Sequence, residues 1–245
     1  MDGTTRHTLV SMNDISLDVP ADLLLPESGT GPGIVLFQEI FGVTDYIRSR
    51  AQDLADLGYV VLVPHLYGRL GDPVVEEGGD GLPRAMALLE ELDWQQAVED
   101  GVAAVAALRE HPSVEGGVGV LGFCFGGGMA FNVAAVARPA PDALVSYYGS
   151  ALPNLLGLAP DVTTPSLHHF GDSDAYLPLA TVRDIERAVT EGHDDVTVRV
   201  HPGGDHAFDN PSPMFHHAEA SATAWEETTR WLESHLPVEA PATRR

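Results

Sequence analysis

The chain of 245 residues contains no lysine and a single cysteine, and its 13 basic residues, all arginine, face 36 acidic ones for a formal net charge of -23. Nucleic acid and anionic membrane surfaces are therefore excluded as expected partners, because both demand a basic face. One cysteine excludes an intramolecular disulfide, which fits a reducing, cytoplasmic compartment and leaves the thiol free for chemistry. No apolar run approaches the ~20 residues that span a bilayer, and the polar opening Met1-Asp2-Gly3-Thr4-Thr5 lacks a signal-peptide core. Internal repeats, low-complexity tracts and Ser/Gly/Pro-rich linkers are missing as well. With 44% hydrophobic residues, residues 1–245 are expected to fold as one domain, with 1–5 and 237–245 frayed.

Hydrophobic patterning after Gly33 alternates between the two regular periods. It predicts strands at 33–37, 59–63, 117–123, 143–148, 166–170 and 196–201, and helices at 45–57, 83–109 (broken near Asp93), 125–138, 178–191 and 216–235. Such alternation means an α/β fold with a mostly parallel sheet covered by helices on both faces. The preceding segment, through Leu17-Asp18-Val19-Pro20 and Leu23-Leu24-Leu25, reads as an antiparallel edge hairpin.

The cysteine sits in Gly122-Phe123-Cys124-Phe125-Gly126, directly after the apolar run Val118-Gly119-Val120-Leu121. Glycines two before and two after a nucleophile mark the sharp strand-to-helix elbow of an α/β-hydrolase, a turn too tight for a Cβ at either place. The following helix would point its unpaired N–H groups and positive dipole end at the sulfur, favouring thiolate. A buried cysteine acting as a small hydrophobe is the competing reading, and the flanking glycines argue against it.

A hydrolase triad runs nucleophile, acid, histidine along the chain. Gly171-Asp172-Ser173-Asp174 follows the 166–170 strand with two carboxylates, and His201-Pro202-Gly203-Gly204-Asp205-His206 follows the 196–201 strand with a histidine. Topology brings Cys124, one of the two aspartates and His206 to one sheet edge. His206 would take the thiol proton, and the carboxylate would fix its tautomer.

Two other signals are rejected. Gly117-Val118-Gly119-Val120-Leu121-Gly122 fits a dinucleotide fingerprint, with Asp142 downstream, but these residues are the strand and not the loop after one. The pairs His168-His169 and His216-His217 lack metal-ligand spacing, because neighbours on a strand face opposite ways and on a helix diverge by about 100°. No metal and no cofactor is called for.

Four separated blocks, Gln38-Glu39-Ile40-Phe41-Gly42, Gly122-Phe123-Cys124-Phe125-Gly126-Gly127, Tyr147-Tyr148-Gly149 and the acid and histidine loops, resemble the dienelactone hydrolases (carboxymethylenebutenolidase-like proteins). The resemblance implies an α/β-hydrolase fold with an antiparallel N-terminal edge, and a Cys-His-Asp triad that opens small enol lactones or activated esters through a thioester. It selects Asp174 as the acid, four residues before Pro178, with Asp172 as the fallback. It also places Glu39 beside the resting nucleophile as a participant in its activation, and marks Tyr148 as a candidate substrate contact. Glu39 would lie in the loop after the 33–37 strand, where the backbone N–H of Ile40 would join that of Phe125 as an oxyanion hole.

One departure stands out. The resemblance implies arginines that hold a substrate carboxylate, one of them four residues after the catalytic histidine, and Asn210 stands there. Arg84 is the candidate for a second such arginine. The expected partner is thus a small ester or lactone, bound by a monomer or small homo-oligomer. A broad carboxylesterase or thioesterase, and a redox-sensing thiol on a vestigial fold, are the alternatives.

Overall fold

A computed structural model describes residues 17–78 and 80–238. Seven strands form one sheet: β1 Ala21–Leu24, β2 Gly31–Phe37, β3 Val60–Pro64, β4 Val114–Phe123, β5 Leu144–Tyr147, β6 Ser166–Gly171 and β7 Val196–His201, in the order β1-β3-β2-β4-β5-β6-β7. All neighbours are parallel except β1 with β3. Every residue of β2, β3, β5 and β6 is buried, as strands covered on both faces must be.

Six helices supply the cover: α1 Asp45–Asp56, α2 Gly81–Glu91, α3 Trp94–Arg109, α4 Phe125–Val136, α5 Leu179–Thr190 and α6 Ala218–His235. The break expected near Asp93 is there. Asp93 accepts from the Gln96 N–H at 3.1 Å and caps α3, so one predicted helix becomes two. On α5 the buried residues Val182, Ile185 and Val189 fall on one face, whereas α4 is buried along almost its whole length between the sheet and its neighbours.

Two expectations need correction. The N-terminal segment is an antiparallel edge, yet its one described strand, β1, pairs with β3 and not with a sequence neighbour, so residues 17–25 form no hairpin of their own. Two 3₁₀ segments, Leu152–Asn154 and Leu156–Asp161, fill the β5–β6 connection where the sequence pattern predicts no element; prolines at 153 and 160 obscure any helical period there. Of the termini expected to fray, 1–5 and 239–245 lie outside the described residues.

Strand order fixes where a site can form. From β2 the chain steps outward to β3, then returns to place β4 on the other side of β2. The crevice outside the C-terminal ends at such a reversal is where open α/β sheets bind ligands. Phe37 is in register with Gly122, so the loops carrying Glu39 and Cys124 leave adjacent strands at the same level. Gly171 and His201 are likewise in register, which brings the acid and histidine loops together.

Candidate active site

Cys124 adopts φ 55° and ψ -122°, outside the ordinary regions for a residue with a Cβ. Its peptide is pinned on three sides. The Cys124 N–H donates to the Tyr147 carbonyl at 3.0 Å, and the Cys124 carbonyl accepts from the N–H groups of Gly127 at 3.0 Å and Ser150 at 3.1 Å. The flanking glycines are steric necessities: a Cβ on Gly122 would lie 2.0 Å from the Gly126 carbonyl oxygen, and one on Gly126 would lie 2.3 Å from that of Gln38. A strained residue of this kind costs about 1–3 kcal/mol and persists because its surroundings leave no alternative.

His206 Nε2 lies 3.2 Å from Cys124 Sγ, and His206 Nδ1 lies 2.8 Å from Asp174 Oδ2. Asp174 Oδ1 accepts the N–H groups of Tyr176 at 2.7 Å and Leu177 at 2.8 Å. Burial opposes the charge on Asp174, but His206 and these two amides outweigh it and hold the carboxyl below its usual range. An ionised Asp174 can only accept, so Nδ1 carries a proton and Nε2 faces the sulfur. Burial likewise opposes the imidazolium, yet Cys124 and Asp174 together raise His206 well above the usual histidine range. Asp172 is elsewhere: it accepts from Ser173 Oγ and the Gly203 N–H, holding the turn after β7.

Glu39 is fully buried. Its Oε1 accepts from Tyr148 OH at 3.3 Å and its Oε2 from Asn210 Nδ2 at 2.8 Å; neither oxygen is bonded to the Cys124 sulfur, whose partners are His206 and, at 3.6 Å, Ser150 Oγ. Burial raises its carboxyl to about 7, with nearby Glu77 pushing the same way and the Asn210 amide opposing. The Glu39–Ile40 turn is fixed by Tyr67 OH, which donates to the Ile40 carbonyl at 3.0 Å, and by Gln38 Oε1, which accepts the Leu66 N–H at 3.1 Å. Phe125 opens α4, so its N–H has no acceptor within the helix.

The other expected residues part company. Tyr148, at φ 36°, is buried with its ring 5.4 Å from that of His206. Asn210 is completely buried; its amide nitrogen also donates to Glu77 Oε1 at 2.9 Å, and its Oδ1 accepts the Ser212 N–H. Arg84 is exposed on α2, with no side-chain bond to any described residue.

Several neighbours carry no signal in the sequence. Asp209 anchors the histidine loop by accepting from Arg50 (2.6 and 2.8 Å), Tyr46 OH (2.6 Å) and Ser221 Oγ (2.7 Å). Arg50 also lies 4.3 Å over the Trp225 ring. No spacing rule links α1, the histidine loop and α6, so only the folded chain reveals this cluster. One trio among the described residues could hold a metal ion: His169, His201 and Glu227, from β6, β7 and α6. Its two imidazoles already meet at 2.9 Å between His169 Nδ1 and His201 Nε2, and Glu227 faces Arg199 at 3.6 Å.

Comparison with known proteins agrees with the fold. The model of the dienelactone hydrolase family matches residues 19–236. A carboxymethylenebutenolidase of Pseudomonas sp. (strain P51) is 34% identical over 89% of this chain and 91% of its own length. Carboxymethylenebutenolidase 1 of Cupriavidus pinatubonensis is 32% identical over 79% of this chain and 82% of its own. Among solved structures, a dienelactone hydrolase-like promiscuous phosphotriesterase from metagenomic libraries superposes with a TM-score of 0.70 at 26% identity, covering 88% of this chain and 92% of that one.

Proposed function

Since this chain belongs to the dienelactone hydrolase family, we propose that it hydrolyses small enol lactones or activated esters through Cys124, His206 and Asp174 and a thioester on Cys124. The unbroken run of contacts from Asp174 through His206 to a sulfur held at φ 55° carries this reading.

The thiol proton passes to His206 Nε2 as Sγ attacks the carbonyl carbon. Asp174 stabilises the imidazolium and keeps the ring from turning. Negative charge growing on the carbonyl oxygen is met by the N–H groups of Ile40 and Phe125, held by the Tyr67 anchor and the start of α4. Collapse breaks the bond to the leaving oxygen, and the proton on His206 passes either to that oxygen or, where the group leaves as an enolate, to its carbon to give a ketone; either way His206 is neutral again. Water then gives a proton to His206 and attacks the thioester, and Sγ departs and recovers its proton. Glu39, poised near neutrality beside this centre, takes part in setting the charge on the sulfur.

A thiolate leaves as readily as it attacks, so a poor leaving group lets the tetrahedral adduct revert. Substrates with a stabilised leaving oxygen escape that reversal, which favours enol lactones and activated esters over peptides.

Trapping with p-nitrophenyl acetate tests the reading. Mass spectrometry of the wild-type protein quenched during turnover should find an acetyl group on Cys124, His206→Ala should be slowed in both acylation and deacylation because each step uses that base, and Cys124→Ala should neither acylate nor turn over. Undiminished turnover by Cys124→Ala would refute it.

A further inference from the structure

The charge around the nucleophile is one-sided. Asn210 Nδ2 has two hydrogens and donates to two carboxylates, Glu39 Oε2 and Glu77 Oε1. Both its donors are therefore used, and the side chain is completely buried. Asp174 is matched by His206, and Asp209 by the two-pronged bond from Arg50. Glu39 and Glu77 have only neutral donors among the described residues: Asn210 and, for Glu39, Tyr148. Arg50 is committed to Asp209 and Asp53 and stacked on Trp225, and Arg84 stands exposed with no partner among the described residues.

We infer that the site selects esters and lactones whose acyl part is uncharged or cationic and discriminates against those carrying a carboxylate, with Glu77 as the specificity-determining residue that acts beside Glu39 across Asn210. The inference rests on Cys124 being the nucleophile. A substrate carboxylate drawn in beside Glu39 would join two acceptors that already share one amide and have no cation of their own among the described residues. Burial and Glu77 have brought Glu39 to the edge of protonation, so a further anion meets a site that already resists negative charge. At the mouth, the exposed Tyr176 ring lies 5.2 Å from His206 and offers an aromatic face, which suits apolar groups and cations.

Three p-nitrophenyl esters with acyl chains of equal length test this: butyrate, hemisuccinate and 4-(trimethylammonio)butyrate. Wild-type kcat/KM should favour the neutral ester over the hemisuccinate by about tenfold or more, as expected for a like-charge contact at roughly 6 Å in a partly solvated cleft. The trimethylammonium ester should match or exceed the neutral one. Glu77→Gln should shrink the neutral-to-anionic ratio by about threefold or more, mainly through KM of the hemisuccinate. Glu77 is only half-buried, so this variant does not threaten the fold, and a ratio taken within one variant cancels any general loss of activity. Asn210→Arg should move the ratio further the same way. Equal or better wild-type use of the hemisuccinate, or a ratio unmoved by Glu77→Gln, would overturn the inference while leaving the nucleophile assignment intact. Butyrate turnover that survives in Cys124→Ala would instead overturn the assignment beneath it.

Discussion

Replacing Glu39 by glutamine should make the protein more stable at alkaline pH relative to wild type, and the structure sets the size of the effect. The Glu39 carboxyl is raised from 4.5 to about 7, first by burial and then by Glu77, against the pull of the Asn210 amide. In the unfolded chain the group returns to its ordinary value. Between the two values the native state holds a proton that the unfolded state has lost, so wild-type stability falls as pH rises through this window and stays lowered above it. That rise corresponds to about 3 kcal/mol at full development, of which roughly 2.5 kcal/mol accrues between pH 5 and pH 8. The glutamine side chain cannot titrate but keeps an oxygen that can accept a hydrogen bond from the Asn210 amide or Tyr148 OH. Urea unfolding of both proteins at half-unit steps from pH 5 to pH 8 gives the difference directly, provided the slopes with denaturant agree. The difference in unfolding free energy, Glu39→Gln minus wild type, should climb by roughly 2–3 kcal/mol across the range. Parallel curves would refute the reasoning, because they would mean that Glu39 ionises at its ordinary pH in the folded protein. A climb confined to the acid end of the range would mean that hydrogen bonding to the carboxylate nearly offsets its burial.

Further outcomes follow from the same contacts. Asp174→Asn should lower kcat for p-nitrophenyl acetate by about 10²–10⁴-fold through loss of the Nδ1–H acceptor, whereas Asp172→Asn should change it little; a steady-state comparison decides between the two carboxylates. Arg50→Gln leaves the Asp209 carboxylate buried without its cation and should cost about 3–5 kcal/mol in chemical unfolding. Gly126→Ala should yield unfolded or inactive protein, because its Cβ would stand 2.3 Å from the Gln38 carbonyl oxygen; a soluble variant with wild-type Tm would contradict the assigned elbow.

What is legible in the sequence is what local geometry dictates. Gly122 and Gly126 announce the elbow because the turn itself admits no Cβ, and the alternation of periods announces the parallel sheet because buried strands and one-sided helices need those residues. The N-terminal edge reads correctly as antiparallel but with a partner next door in sequence, since periodicity within a strand says nothing about which strand lies beside it. Chain order narrows the acid to two aspartates and resemblance chooses Asp174; the Nδ1 contact at 2.8 Å falls on that residue. Glu77, Arg50, Asp209, Tyr46 and Ser150 are illegible for one reason. Each makes its contact with a residue distant in the chain, from a loop or helix whose own pattern is ordinary; even Asp209, three residues from His206, is explained only by Tyr46 and Arg50 on α1.

Asn210 shows how far a single position can mislead until its neighbours are known. In the sequence it is a missing arginine and so a lost contact to substrate. In the folded chain its side chain is sealed from solvent, and its two N–H groups bind Glu39 and Glu77. An arginine there would bring a full charge to the same two carboxylates and draw the Glu39 carboxyl down toward the ordinary range. The neutral amide supplies the hydrogen bonds without that charge, so Glu39 keeps the raised value that burial gives it. One substitution therefore acts on two properties together: the protonation of the Glu39 carboxyl, and the sign of charge that the cleft accepts. A variant that restores a cation at 210 should move both, lowering the pH at which Glu39 ionises and raising affinity for anionic acyl groups. Movement of one without the other would separate the two properties and show that the charge preference is set elsewhere in the cleft.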